Sequence, residues 1–374
     1  MYGTSPCGGY PGNLDAHCRL LGQKYCVGGI LKAAPDPVTS SIPQYDAKHP
    51  IQGHITKDKV ARKYLPGYLR EAVKPRQTRE NAQARPANTG ADGYNHAMNP
   101  DLSIAFIGGG NMATALATGL ADNICPAGNL HVVDPNAAVQ DAWRQRGATA
   151  AAAPDAALRA CKIWLYAVKP QQMREVVAAT RSWLQPDTLI ISVAAGIRAG
   201  TLADWLGEPG APWQNLVRCM PNTPALVGAG VSGLIALPGV DAAGRALAES
   251  LLASVGQVVW VADDAGLDAV TALSGSGPAY VFLFIESLIA GGVAVGLTPD
   301  QARQLALGTL AGATKLAEQA AEPPSVLRER VTSKGGTTYA ALQVFEQANL
   351  RDTVQQAMQA AAQRSRELAD EFGQ

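Results

Sequence analysis

Between Val331 and Thr338 the chain reads Val-Thr-Ser-Lys-Gly-Gly-Thr-Thr, and an apolar helical pattern follows at once. Glycines let a ligand approach the backbone closely. The first amides of a helix have no intrahelical partner, and the helix dipole adds positive potential there. A carboxylate or phosphate is the chemical complement of such a loop. The competing account is an ordinary helix start with a Ser or Thr cap.

A second group of residues asks for a different ligand. Ser103-Ile104-Ala105-Phe106-Ile107 is a short apolar run that ends in Gly108-Gly109-Gly110-Asn111-Met112-Ala113, and a helical pattern continues to about Leu120. Leu130-His131-Val132-Val133 then forms another apolar run, closed by Asp134. Strand, glycine turn, helix and acid-terminated strand is the order that places a dinucleotide pyrophosphate on a helix N-terminus. Asp134 stands where the ribose hydroxyls of NAD are held, or alternatively is a strand-end acid in a turn shaped by Pro135 and Asn136. No Arg follows directly to take a 2′-phosphate, so NADH and NADPH both stay open.

A nicotinamide cofactor implies hydride transfer and raises the question of the proton. His131 is the single histidine after residue 97, and it falls inside a predicted strand, which argues against a His base. The lysines after residue 97 are Lys162, Lys169, Lys315 and Lys334; Lys169 and Lys334 are the two near predicted ligand loops. A substrate that is already a protonated imine needs neither strong base nor strong acid. Its carbon accepts hydride directly, and the site has only to orient the ring, exclude water and hold any anionic group. Hydroxyls and backbone amides suffice for that.

The elements that must position these residues are also visible. Ile163–Val168, Thr188–Val193 and Leu216–Cys219 continue the alternation of strand and helix, with a further strand pair near 231–237 and 258–261. The alternation predicts a parallel, doubly wound α/β sheet, with ligands past the carboxyl ends of its strands. The loops there are 108–113, 167–171, 194–196 and 220–225. From Asp264 on, helical periodicity takes over, with predicted helices at 267–273, 279–295, 299–319, 325–331, 338–348 and 350–372. The run Ala279–Leu297 carries Glu286 and two glycines, which predicts a buried or interfacial helix rather than a membrane span. Helices this apolar are expected to pair with a second copy of the chain.

Of the 374 residues, the first 97 are rich in Gly, Pro, Asn, Gln and charge; they are predicted to be a disordered extension, with Met98 as an alternative start. The expected division is therefore 1–97, a dinucleotide domain over 98–262 and a helical domain over 263–374. The 31 basic and 31 acidic residues give no electrostatic case for nucleic acid or an anionic membrane. Six scattered cysteines without a CxxC pair support neither a zinc site nor a disulfide framework, and suit a reducing cytoplasm. His17 and the cysteines of the extension match no metal-site spacing, so no metal is expected.

Six strings in order resemble the pyrroline-5-carboxylate reductase family. They are GGGNMA after the first strand, AVKPQQM at 167–173, SVAAG at 192–196, RCMPNTPALVGAGV at 218–231, TALSGSGPAYVF at 271–282 and LRERVTSKGGTTYAAL at 327–342. The resemblance spans about residues 102–370, and its last two strings are the most specific. It implies a Rossmann-type domain followed by an all-α dimerisation domain. It also implies reduction of L-1-pyrroline-5-carboxylate to L-proline with NADPH or NADH, in a homodimer or decamer. Carried over, Gly108, Gly109, Gly110, Asn111 and Met112 hold the pyrophosphate. Ala167, Val168, Lys169 and Pro170, with Ala194, Ala195 and Gly196, line the adenosine-to-nicotinamide path. Met220, Pro221, Asn222 and Thr223 lie by the nicotinamide. The substrate carboxylate is expected on amides of the glycine loop Gly335, Gly336, Thr337 and Thr338. The Thr338 hydroxyl is expected at the ring nitrogen, and Ser333 lies in the same loop. Two departures stand out: Lys334 replaces the Pro of many relatives, and Arg330 replaces an Asn that in some contacts the cofactor. Asp155 stands near a position where relatives often have Asn. A 3-hydroxyacid dehydrogenase of related architecture would need a Lys on the helix after Ser274–Ala279, and none is there. A non-catalytic cofactor-binding protein on the same fold is the other class to separate.

Overall fold

The structure, a computed structural model, describes residues 98–121 and 123–373. The predicted disordered extension 1–97 lies outside the described residues. Eight strands form one sheet: β1 Ile104–Ile107, β2 Leu130–Val133, β3 Thr149–Ala151, β4 Ile163–Tyr166, β5 Leu189–Ser192, β6 Leu216–Met220, β7 Gly230–Ala236 and β8 Gly256–Trp260. Their order is β3-β2-β1-β4-β5-β6-β7-β8. β1 to β6 pair in parallel, as the alternation predicts. β7 runs antiparallel to β6 and parallel to β8. β3 was not expected: Thr-Ala-Ala has no apolar run for a strand to announce itself by.

Every residue of β1, β2, β4 and β5 is buried, because helices cover both faces of the sheet. Alternate residues serve opposite faces. Ile104, Phe106, Val132 and Leu165 join one apolar cluster with α1 (Asn111–Leu120) and α5 (Ala242–Ala253), while Ala105, Ile107, Trp164 and Tyr166 join a second with α3 (Pro170–Thr180) and α4 (Ala199–Leu206). Between them in sequence, α2 (Ala137–Gln145) adds Trp143 to the first cluster.

The helical part begins with α6 (Asp264–Val270) and passes into a π-helical turn at Thr271–Gly275, where the sequence predicted α-helix as far as Leu273. Then come α7 (Gly277–Ala294), α8 (Pro299–Gln319), α9 (Pro324–Arg330), α10 (Thr337–Gln347) and α11 (Leu350–Phe372). α8 starts with the expected device: Thr298 and Gln301 form a reciprocal capping box ahead of Pro299. α7 was read as buried or interfacial, and the structure fits the interfacial alternative: none of its residues is buried within this chain, and Leu283 is 65% exposed. The stretch Asp264–Ala294 is long and apolar enough to cross a membrane, by length and composition only.

Candidate active site

The strand order reverses direction between β1 and β4, and that switch point is where ligands enter such sheets. Gly108 leaves β1 with φ +92°, a conformation that side-chain-bearing residues rarely adopt. A Cβ there would lie 2.8 Å from Val168 Cγ1 and 3.0 Å from the Ala167 carbonyl oxygen, so the first glycine is pressed against the end of β4. Gly109 is packed against α2: its Cβ would meet Val139 at 2.6 Å, and its carbonyl accepts a hydrogen bond from the buried Trp143 indole at 3.0 Å. Gly110 is different, because nothing stands within 4 Å of its Cβ position. It precedes α1, which starts without any side-chain cap or acidic residue in its first turn. Open space beside uncapped amides fits a dinucleotide pyrophosphate, with Asn111 and Met112 supplying the next amides.

Asp134 closes the back of this turn. Its Oδ2 accepts the Gly109 amide at 2.9 Å, and its Oδ1 accepts the Asn136 amide at 2.9 Å. The strand-end acid therefore already holds two backbone turns. A ribose contact would use its remaining lone pairs. Asn136 caps α2 by accepting from the Ala138 amide.

The other predicted cofactor loops converge on the same edge. Ala167 and Val168 flank Gly108, Lys169 is an exposed residue at the start of α3, and Pro170 is the first residue of that helix. Ala194 is buried, Ala195 half-buried, and Gly196 turns with φ +72°. Met220 reaches Gly275, whose Cβ would fall 2.6 Å from the Met220 methyl. Pro221 is buried and Thr223 exposed. Asn222 is buried; it donates to the Ser274 carbonyl at 3.1 Å and accepts the Val231 amide at 2.9 Å. That side chain ties the loop to β7 and to the π-helical turn. Ser274 and Gly275 were not assigned to the site, although the Ser-Gly-Ser-Gly string is the signal by which they could have been.

In the glycine loop the Gly336 amide donates to the Ser333 carbonyl at 3.0 Å. Gly335 has φ +75°, and Lys334 is not among the residues with positive φ. Those signs describe a type II turn, with Lys334 at its second position and Gly335 at the third. A Cβ on Gly336 would lie 2.9 Å from Ser333 Oγ, so the loop folds on itself there. α10 begins at Thr337 with no side-chain cap, and Thr337 and Thr338 are exposed. Outward amides and two hydroxyls are thus presented together. Arg330 is engaged elsewhere, with Glu322 at 2.6 Å. Among the described residues no hydrogen bond or ion pair joins this loop to the cofactor loops of its own chain.

The other ionisable candidates are structural. His131 is buried on β2, between β1 and the edge strand β3, with Nδ1 2.8 Å from Thr149 Oγ1 and Nε2 3.2 Å from Asp155, and burial lowers its pKa. Burial also pushes the thiols of Cys161 and Cys219 up, to about 11 and about 12, so neither is a nucleophile at neutral pH.

A switch-point glycine cradle joined to a helical half with an unpaired apolar surface defines a dinucleotide-dependent oxidoreductase that works as an oligomer. Residues 264–368 match the family described as pyrroline-5-carboxylate reductase dimerisation, and residues 103–196 match NADP oxidoreductase, coenzyme F420-dependent. Pyrroline-5-carboxylate reductase from Pseudomonas aeruginosa is 43% identical over 72% of this chain and 98% of its own length. The Pisum sativum enzyme of the same name is 39% identical over 73% and 98%. The solved structure of a Coxiella burnetii pyrroline-5-carboxylate reductase superposes with TM-score 0.67 at 36% identity, covering 72% of this chain and 99% of that one. Plasmodium falciparum pyrroline carboxylate reductase with NADP bound gives TM-score 0.65 at 30% identity, covering 73% and 100%. This chain belongs to the pyrroline-5-carboxylate reductase family.

Proposed function

We propose that this chain reduces the C=N bond of L-1-pyrroline-5-carboxylate to give L-proline, using NADPH or NADH. The observation that carries the proposal is the Ser333–Thr338 turn, whose uncapped helix start offers amides and hydroxyls to an anionic ring. The bound nicotinamide supplies the hydride. The residues of the chain do the rest. The amides of Gly336, Thr337 and Thr338 hold the carboxylate on the positive end of α10. Gly335 gives the turn its shape, and Ser333 supports Gly336 from behind. The Thr338 hydroxyl accepts the ring N–H, which sets the angle at which the imine carbon meets the hydride donor. The substrate arrives protonated on nitrogen, so no side chain has to deliver a proton.

On the cofactor side, the Gly108–Met112 turn takes the pyrophosphate and Asp134 faces the adenosine ribose. Ala167–Pro170, Ala194–Gly196 and Met220–Thr223 flank the rest. The separation of the glycine loop from these residues within one chain supports an active site completed by a second subunit. The working unit is at least a homodimer, with decamers as the larger assembly to test, in the cytoplasm and without nucleic-acid or membrane partners.

The test follows the loss of nicotinamide absorbance by the purified chain with pyrroline-5-carboxylate, using NADPH and NADH in parallel. Turnover with either supports the proposal, and the ratio of kcat/KM values decides whether Asp134 favours an unphosphorylated ribose. A protein that binds the cofactor yet never turns over would replace it with a regulatory role.

A further inference from the structure

We infer that the carboxy-terminal end of α11 is a positioning brace for the cofactor turn Ala194–Gly196, with Phe372 and Leu368 as the residues that hold it. The inference rests on the assignment of that turn to the cofactor.

α11 is a 23-residue helix with two buried residues, Ser365 and Ala369, both near its C-terminal end. That end is where it meets the sheet half. A Cβ on Gly196 would fall 3.1 Å from Phe372 Cδ2 and 3.2 Å from Leu368 Cβ, so ring and helix lie directly on the turn. Phe372 packs against the apolar cluster that includes Ala194, Ile197 and Ala199. Three further contacts lie along the approach, of which the exposed ion pair is the weakest. Ser365 Oγ donates to Asp268 Oδ1 at 2.6 Å in a buried hydrogen bond. Arg198 pairs with Asp370 at 2.8 Å on the surface. A Cβ on Gly373 would lie 3.4 Å from Thr201 Oγ1.

The turn needs such a cover because of its residue type. Gly196 holds φ +72°, and glycine populates negative φ about as readily as positive. A bare glycine turn would spread over both. The ring of Phe372 leaves no room for the backbone to swing outward, and the turn stays in one conformation. The brace also reaches the other ligand loop. α11 follows α10 through Asn349, which has φ +52°, and α10 begins at the Gly336 turn. Two consecutive helices thus run from the loop assigned to the substrate carboxylate to the turn assigned to the cofactor.

The experiment uses the full-length chain and NADPH as the probe. Binding is titrated by nicotinamide fluorescence for wild type, Phe372→Ala, Phe372→Leu and Arg198→Ala, and steady-state constants are measured for both substrates. Freeing one backbone residue weakens NADPH about tenfold in Phe372→Ala and raises its KM alike. The KM for pyrroline-5-carboxylate and kcat at saturating NADPH stay as in wild type. Phe372→Leu recovers most of the affinity, and Arg198→Ala, which loses only the exposed ion pair, changes neither. Unchanged NADPH affinity in Phe372→Ala, or equal losses for both substrates, would overturn the inference. Should Phe372→Ala fail to fold, Leu368→Gly removes the neighbouring Cβ contact and is judged by the same readout. If wild type binds NADPH but never turns over, the proposed reaction fails, while the binding titration still decides the brace.

Discussion

The sheet half and the helical half of this chain use similar apolar side chains and keep them in opposite places. In β1, Ile104, Ala105, Phe106 and Ile107 are all at most 1% exposed. In α7, Val281, Phe282, Leu283 and Phe284 follow one another, and each is at least 40% exposed. A sheet with helices on both faces makes two cores from one chain. A helix apolar all round has no single stripe to turn inward, and it becomes stable only between other helices. Each such side chain, once fully buried, contributes about 2 kcal/mol, so the four together are worth several kcal/mol to whatever covers them. A dimerisation match over 264–368 identifies the cover as another copy of the chain. The lesson is that one half carries its own stability and the other borrows it from assembly.

The largest effect should come from breaking the borrowed half. Leu283→Asp would bury an unpaired carboxylate between subunits, at a cost of several kcal/mol. We expect loss of the dimer in sedimentation and a fall in turnover of more than a hundredfold, roughly in line with that cost. A Leu283→Asp protein that remains dimeric and active would end the comparison. Next in size is Thr338→Ala, which removes the hydrogen bond proposed between its hydroxyl and the ring nitrogen. It should lower kcat by about ten- to a thousandfold. Its NADPH affinity should match wild type, because the damage is confined to the helical half; a parallel loss of both would show the two halves are not separable in this way.

A third variant probes the seam. Arg218 on β6 is buried and pairs with Asp264 at the start of α6, and its Nε has no partner among the described residues. Arg218→Met leaves Asp264 without its cation and should destabilise the protein by about 3 kcal/mol, less if solvent reaches the partly exposed carboxylate. Chemical denaturation measures this, and no change in midpoint would mean the pair is dispensable.

The smallest effect concerns pH. Burial holds the His131 pKa below its ordinary value near 6.5. The unfolded chain then takes up a proton before the folded one does. Stability is full above about pH 6.5 and declines as pH falls through that value toward the folded pKa. His131→Gln should flatten this part of the pH dependence of the denaturation midpoint, while turnover at neutral pH is unchanged. An identical slope in both proteins would remove His131 from the account.

Much of this architecture was legible because local signals and tertiary role coincide. β1, β4 and β5 are apolar runs buried on both faces, and the Gly108–Gly110 turn shows its purpose in its composition. The Thr298-Pro299 start of α8 is equally plain. Where the signal was weak, the reason is physical. β3 is three small residues whose pairing with β2 supplies what their side chains lack. The π-helical turn at 271–275 is tied to Asn222, which donates to the Ser274 carbonyl across 52 positions of sequence, a contact that local pattern does not record. α7 was recognised as apolar, but whether it is buried within the chain or at an interface was left open, since periodicity records that a face must be covered and not what covers it. For the site, residue types pointed to the two ligand loops, but the double use of Asp134 by backbone amides required coordinates. So did the seating of Phe372 on Gly196, because nothing in a C-terminal Glu-Phe-Gly string names its partner.

That seating has a consequence for how the protein comes into being. Domains generally fold as units during synthesis, the earlier one first. Here the turn after β5 is made early, yet the ring that rests on it, Phe372, follows Gly196 by 176 positions (372 − 196). Until α11 has been made, the sheet can form but the turn at Gly196 lies uncovered. Synthesis of α11 is therefore the step that covers the turn assigned to the cofactor, and a chain that stops before Phe372 would be a folded sheet with that turn left loose.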